Sequence, residues 1–314
     1  MGSNRAKTCK GRGWLALVIP LGLLTGCMLA TSAPRADEIQ EMEVKVPGAT
    51  LHVRVAGNPA AERVLVAIHG GPGMDSGYML SLEQLADPNL AVVTYDQRGT
   101  GRSTEPSDGY AMSKYVADLD AVREAVGADA VHLLGHSWGG LVAQRYAIAY
   151  PERVRSIVLM GSGAPSMEAL RAANENKRQR IIELQQQGIL PEQITSLADM
   201  LPSYYADPAF DAPDELRNLS YKSAVEQQTW AALKEDDLAA DVDALTHPVL
   251  LLWGEDDPFG VQMAQATQNA LVNAEVTFIL LTECGHFWHE CPDQFYPHVR
   301  AFLGLAEPSK GTGQ

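Results

Sequence analysis

Cysteine and positive charge are both scarce in this chain, and each shortage removes a class of protein. Four cysteines and eight histidines are spread over 314 residues, and no Cys/His spacing among them reads as a zinc finger. With 24 basic against 39 acidic side chains the formal charge is −15. That balance argues against a nucleic-acid partner, because phosphate-backbone binding needs a basic face. A solvated surface accounts for the acidity; alternatively, the field attracts cationic substrates such as free peptide N-termini. No period of twenty to fifty residues stands out, so the chain is not a repeat protein. What is present is an ordinary globular balance, 46% hydrophobic and 20% charged, long enough for one large domain with an insertion or for two small ones.

The N-terminus reads as an export signal. Arg5, Lys7, Lys10 and Arg12 precede an apolar run from Trp14 to Leu24, interrupted by Pro20 and Gly22. The run is too short for a comfortable membrane span and suits the core of a secretory signal. Leu24-Thr25-Gly26-Cys27 resembles the lipobox of bacterial lipoproteins, which implies acylation of Cys27, cleavage before it and a membrane anchor. Ordinary secretion, with cleavage near Ala33 or Ala36, is the competing reading. Residues 1–27 are thus assigned to the signal, 28–41 to a tether and 306–314 to a tail. Cys284 and Cys291 remain, seven positions apart in a chain bound for an oxidising compartment. A disulfide between them, bracing the intervening loop, is one of two open readings.

From Met42 the pattern changes to short strands. Met42 to Val46 and Leu51 to Val55 alternate as an antiparallel edge pair. Val64–Ile68, Leu90–Thr94, Val131–Leu134, Ile157–Met160, Val249–Trp253 and Val276–Leu280 are nearly continuous apolar runs, suited to strands buried on both faces. Helical patterns lie between them, around 78–86, 112–126, 140–150, 261–271 and 292–303. This alternation predicts a doubly wound α/β architecture, a mostly parallel sheet with helices on both faces. Residues 42–164 and 247–305 form its core. Residues 165–246 break the rhythm with helical stretches at 167–187 and 216–234, punctuated by prolines, and read as a helical cap over the carboxyl edge of the sheet.

Gly135-His136-Ser137-Trp138-Gly139-Gly140 follows one of those strands and opens an amphipathic helix. A serine hydroxyl is a weak nucleophile that must be lifted toward a base, and a G-x-S-x-G turn between strand and helix does this. Ser137 is therefore the candidate nucleophile. An oxyanion hole needs two backbone N–H donors. Trp138 supplies one, and the glycine-rich loop His69-Gly70-Gly71-Pro72-Gly73, immediately after another strand, offers Gly71 as the second. In this order of elements an acid and then a histidine must follow. Asp257, with Asp256 as its competitor, closes the strand after the cap, and His286 follows the last strand. His286 would take the Ser137 proton, and Asp257 would orient the imidazole. His289, three residues beyond His286, reads as a loop residue and not as half of a metal site. His69 and His136 are assigned to ordering the oxyanion loops.

His69-Gly-Gly-Pro-Gly73, Asp96-Gln-Arg-Gly-Thr-Gly-Arg-Ser103, Gly135-His-Ser-Trp-Gly-Gly140 and Gly285-His286, in that order, resemble the proline iminopeptidase family of α/β hydrolases. The resemblance spans about residues 42–305 and is specific in these motifs. It implies an α/β-hydrolase fold with a helical cap, release of N-terminal proline or small residues from short peptides, and no metal or organic cofactor. It also implies a loop at Asp96–Ser103 beside the oxyanion site, which an Asp96–Arg98 ion pair would pin. The family binds the substrate ammonium with cap glutamates, one following a tryptophan. Here Glu226 is the nearest match, with Val225 where the tryptophan would stand. Two rivals follow from the same residues: a carboxylesterase or lactonase using the same triad, and a catalytically silent α/β-hydrolase-fold binding protein.

Overall fold

The computed structural model describes residues 39–58, 60–163, 166–234 and 241–306. The expected signal with Cys27, the tether up to residue 38 and the tail from residue 307 lie outside them. Eight strands form one sheet: β1 (Ile39–Val46), β2 (Ala49–Ala56), β3 (Arg63–Ile68), β4 (Leu90–Tyr95), β5 (Val131–His136), β6 (Val154–Met160), β7 (Val249–Gly254) and β8 (Val276–Leu281). Their spatial order is β1-β2-β4-β3-β5-β6-β7-β8. β1 pairs antiparallel with β2 and β2 with β4, while every pairing from β4 to β8 is parallel. β1 begins three residues before the expected Met42, because Ile39, Gln40 and Glu41 continue the ladder opposite Ala56, Val55 and Arg54.

Period-two packing explains why the central strands read as unbroken apolar runs. Val64, Val66 and Ile68 of β3 enter one core cluster, and Leu65 and Ala67 enter the other. β7 divides in the same way, with Val249, Leu251 and Trp253 on one face and Leu250 and Leu252 on the opposite one. The first face is covered by α1 (Met112–Ala125), α2 (Trp138–Ala149) and α7 (Val261–Ala270); the second by α8 (Pro292–Leu303) and a 3-10 turn at Gly77–Leu85. Each large aliphatic side chain removed from water in this way contributes about 1.5–3 kcal/mol, so both sides of every central strand must be apolar.

Between β6 and β7 stand α3 (Met167–Gln186), α4 (Leu197–Met200), α5 (Asp214–Arg217) and α6 (Ser223–Ala232). Ser166 starts α3 by accepting the Ala169 N–H at 3.1 Å, the usual role of serine at a helix start. The sequence reads as one helix over 216–234, but the chain leaves helical geometry between Arg217 and Ser223. There the backbone bonds elsewhere: Ser220 N–H to Asp75 Oδ2 and Lys222 N–H to the Gly73 carbonyl, both at 2.9 Å. Met74 and Tyr221 form an isolated antiparallel bridge. These tertiary bonds outcompete helix propensity, and they fasten the cap to the loop after β3.

Candidate active site

The sheet order reverses around β3, since the chain runs from β3 to β4 on one side and then to β5 on the other. The carboxyl ends of β3 and β5 therefore diverge, and such switch points leave a crevice for ligands. Ser137 occupies the single position between β5 and α2, with φ 53° and ψ −123°. That left-handed backbone costs a non-glycine residue about 1–3 kcal/mol, and the bond from Ser137 N–H to the Met160 carbonyl (3.0 Å) helps to hold it. The loop after β3 presses against it: a Cβ placed on Gly70 would come within 2.8 Å of the Ser137 Cβ. Gly71 has φ +49°, and its carbonyl accepts from Met74 N–H at 2.9 Å. Trp138 is the first residue of α2, where an N–H has no partner inside the helix.

The acid and the histidine meet. His286 Nδ1–H donates to Asp257 Oδ2 at 2.7 Å, which leaves Nε2 as the basic nitrogen. Both side chains are buried, while Asp256 is exposed. Asp257 is itself oriented by the Phe259 N–H on its other oxygen at 2.9 Å. The imidazole lies among the rings of His136, Phe259 and Tyr204, with centroids 4.7, 4.9 and 5.4 Å away. A Cβ on Gly161 would meet His286 Nδ1 at 2.9 Å and Asp257 Oδ2 at 3.2 Å, and Gly161 adjoins the Met160 that holds Ser137. The pair and the serine thus share one small volume. Among the described contacts no hydrogen bond yet links Ser137 Oγ to His286.

His136 ties the two halves of the site together. Its Nε2–H donates to the His286 carbonyl at 2.9 Å, so its Nδ1 must accept from the Tyr78 hydroxyl at 2.7 Å. That hydroxyl in turn accepts the Gly70 N–H at 2.5 Å. Burial, reinforced by the neighbouring His286, pushes the His136 pKa far below its usual value, so the ring stays neutral with this tautomer. His69 acts similarly on the other side. It accepts the Gln97 N–H at 3.0 Å, and the Gln97 side chain bridges the His69 carbonyl (2.7 Å) to the Trp138 indole N–H (2.9 Å).

The Asp96–Arg98 ion pair is not formed. Arg98 is buried and takes both oxygens of Asp118 at 2.7 Å together with Asp108 at 2.8 Å. Asp96 instead accepts the Ser76 N–H and hydroxyl and the Arg102 N–H. A buried guanidinium needs more than one acceptor to offset its lost hydration, and α1 supplies a carboxylate that the loop cannot. His289 is half-buried and stacks on Trp288, with Nε2 3.2 Å from the Ser81 hydroxyl. Cys284 and Cys291 are joined in a disulfide that brackets the His286 loop. Glu290 clamps the same loop by accepting the N–H groups of Gly285, Ala206 and Asp207 at 2.9, 3.1 and 3.3 Å.

A cavity of about 250 Å³ opens on Ser137, Gly71 and Trp138, with cap residues on its far side. Glu226 lines it and accepts from the Tyr221 hydroxyl. Trp230, one turn along α6, also lines it and packs edge-on against Trp138 at 5.5 Å. Reading the motifs missed Trp230, Lys177, Tyr204 and Phe259. Leu170, Asn174 and Lys177 share one face of α3 at helical spacing, but spacing does not reveal which face meets the pocket. A larger hollow of about 550 Å³ between Ile194 and Ser223 of the cap contains none of the candidate catalytic residues.

Comparison with known proteins bears on the fold and the family. Over 114 residues the chain is 40% identical to a proline iminopeptidase of Lactobacillus delbrueckii subsp. bulgaricus, a match covering 34% of this chain and only 39% of the relative's length. The crystal structure of a Mycobacterium smegmatis proline iminopeptidase superposes with TM-score 0.63 at 23% identity, covering 84% of this chain and 98% of that one. An esterase from Exiguobacterium antarcticum superposes with TM-score 0.64 at 20% identity, over 84% and 100% of the two chains. At such identities the structural likeness speaks for the fold alone. The family model for the alpha/beta hydrolase fold matches residues 63–290, and with the strand order and the turn at Ser137 already described, the chain belongs to the α/β-hydrolase fold family.

Proposed function

We propose that the protein is a serine hydrolase releasing N-terminal proline or small residues from short peptides or amino-acid amides. The observation that carries this reading is the buried Asp257–His286 hydrogen bond beside Ser137 at the mouth of the cavity. Ser137 Oγ attacks the scissile carbonyl and passes its proton to His286 Nε2. Asp257 stabilises the imidazolium, and the N–H groups of Gly71 and Trp138 receive the tetrahedral oxyanion. Collapse returns the proton to the leaving amine, and water hydrolyses the acyl-serine by the same route. The missing Ser137–His286 bond is compatible with this course, because catalytic hydrogen bonds are often long before substrate binds. Glu226, facing the same cavity, provides the carboxylate that a free N-terminal ammonium requires. The 40% identity to a proline iminopeptidase supports the substrate class over the matched segment.

A second reading, a carboxylesterase or lactonase, is favoured by the apolar part of the lining, Leu141, Leu170, Trp230, Phe259 and Met263. Assaying prolyl and alanyl anilides beside p-nitrophenyl esters separates the two: anilide cleavage supports the aminopeptidase, and ester cleavage alone supports the rival. Silence on both, with no labelling by a fluorophosphonate, would leave a binding protein. We also propose export with a lipid anchor on Cys27, for which the basic, apolar and lipobox-like order of residues 5–27 is the support. Cys27→Ser should then move the protein from the membrane fraction to the soluble one, and unchanged retention would refute the anchor.

A further inference from the structure

The cavity holds one group that the proposed reaction does not use. Lys177, half-buried on α3, lines it opposite the core residues and is the only cation among its described lining residues. Its ammonium sits 3.9 Å from the centre of the Tyr204 ring and 5.4 Å from that of Phe259, and it donates to the Tyr204 hydroxyl. Those same two rings flank His286. One aromatic ring therefore separates the ammonium from the proposed base. Among the described residues no carboxylate lies within ion-pairing distance of it, although surface cations such as Arg178 and Arg217 do find such partners. A cation aimed into a partly apolar pocket, steadied by aromatic faces but lacking a counter-charge, is arranged to receive an anion from a ligand.

We propose that Lys177 is a specificity residue that binds a substrate carboxylate, and that this carboxylate is the C-terminus of a dipeptide. The substrate class is then the free dipeptide, with its ammonium on Glu226 and its carboxylate on Lys177; this rests on the aminopeptidase reading above. Reach favours the shortest peptide. Each additional residue carries the carboxylate a further ~3.3–3.6 Å from the scissile bond, whereas Lys177 stands one ring from His286 and the cavity encloses only about 250 Å³. A long peptide would have to place its uncharged backbone against the ammonium.

The test compares kcat/KM for Pro-Gly, its C-terminal amide and Pro-Asp-amide, with 4-acetoxybenzoate and 4-acetoxybenzamide as an ester pair, in wild type, Lys177→Met and Lys177→Arg. The expected result is at least a tenfold preference of wild type for Pro-Gly over its amide, expressed mainly in KM. That preference should collapse toward unity in Lys177→Met and return in part in Lys177→Arg. If acid and amide are cleaved equally by wild type, or fall together in Lys177→Met with their ratio unchanged, the lysine only supports Tyr204 and the proposal is overturned. Preference for Pro-Asp-amide equal to that for Pro-Gly would overturn the C-terminal assignment and move the subsite to a side-chain carboxylate. Failure to cleave any peptide would instead defeat the aminopeptidase reading and the dipeptide with it. The ester pair then decides the lysine, since a lysine-dependent preference for the benzoate, whose carboxylate departs with the leaving group as a dipeptide's does, upholds a carboxylate subsite and its absence removes it.

Discussion

At the scale of single residues, the site depends on histidines that look alike in sequence and do different work. His286 keeps Nε2 free because Asp257 occupies Nδ1. His136 spends both nitrogens holding a carbonyl and a hydroxyl in place. Asp257 could be preferred over Asp256 only weakly from sequence, because adjacent side chains at a strand end point apart and their neighbours alone decide which one is buried. Removing the hydroxyl in Ser137→Ala should lower turnover by roughly 10⁴-fold or more, with little effect on folding. The Cβ that makes φ 53° costly remains in alanine, so stability should shift by no more than about 0.5 kcal/mol. Parallel measurement of kcat and of the melting midpoint checks both parts, and a loss of only a few-fold would mean that another nucleophile carries the reaction.

At the scale of elements, the loop from Cys284 to Cys291 shows how one segment is secured three ways. The disulfide closes its ends, Glu290 gathers three backbone N–H groups, and His286 N–H donates to the Tyr204 carbonyl of the cap at 2.7 Å. Closing a short loop restricts the unfolded chain by about 2–3 kcal/mol. The double variant Cys284→Ala/Cys291→Ala should therefore unfold at lower denaturant with a stability loss near 2 kcal/mol. Turnover should fall less than tenfold, because the Glu290 clamp and the Tyr204 bond still position the imidazole. Equal stability with and without the bridge, measured by urea titration, would contradict this account. The spacing of the two cysteines permitted the bridge without deciding it, since pairing depends on how the loop folds back. The cap was less legible again: the helical pattern over 216–234 was visible, but not the bonds to Gly73 and Asp75 that divide it.

Across the whole molecule, burial sets a pH response. His69 and His136 are fully enclosed, and desolvation lowers both pKa values; burial also takes His132 and His289 down to about 4. Each folded imidazole therefore binds fewer protons than its unfolded counterpart between pH 6.5 and about 4. Stability must rise with pH through that window and fall as pH drops below 6.5, by up to about 1.4 kcal/mol per pH unit for a fully enclosed ring. Asp118 and Glu290, raised by burial, oppose the trend. They are outnumbered by the four imidazoles. The urea midpoint should decline steadily from pH 7 to pH 4.5, and a flat profile would show that the buried rings exchange protons freely.

The sequence alone determined the central strands of the sheet, because a strand buried on both faces must be apolar along nearly all of its length. It also determined where the candidate nucleophile Ser137, the glycine loop and His286 stand along the chain, since a sharp strand-to-helix turn and a close backbone approach restrict residue type locally. Only the tertiary structure decided what depends on distant segments meeting: Asp257 and not Asp256 on His286, Asp118 and not Asp96 on Arg98, and Lys177 and Glu226 turned into one cavity. Local constraints leave marks within a few residues, whereas a charge's partner is chosen by packing between elements far apart in sequence.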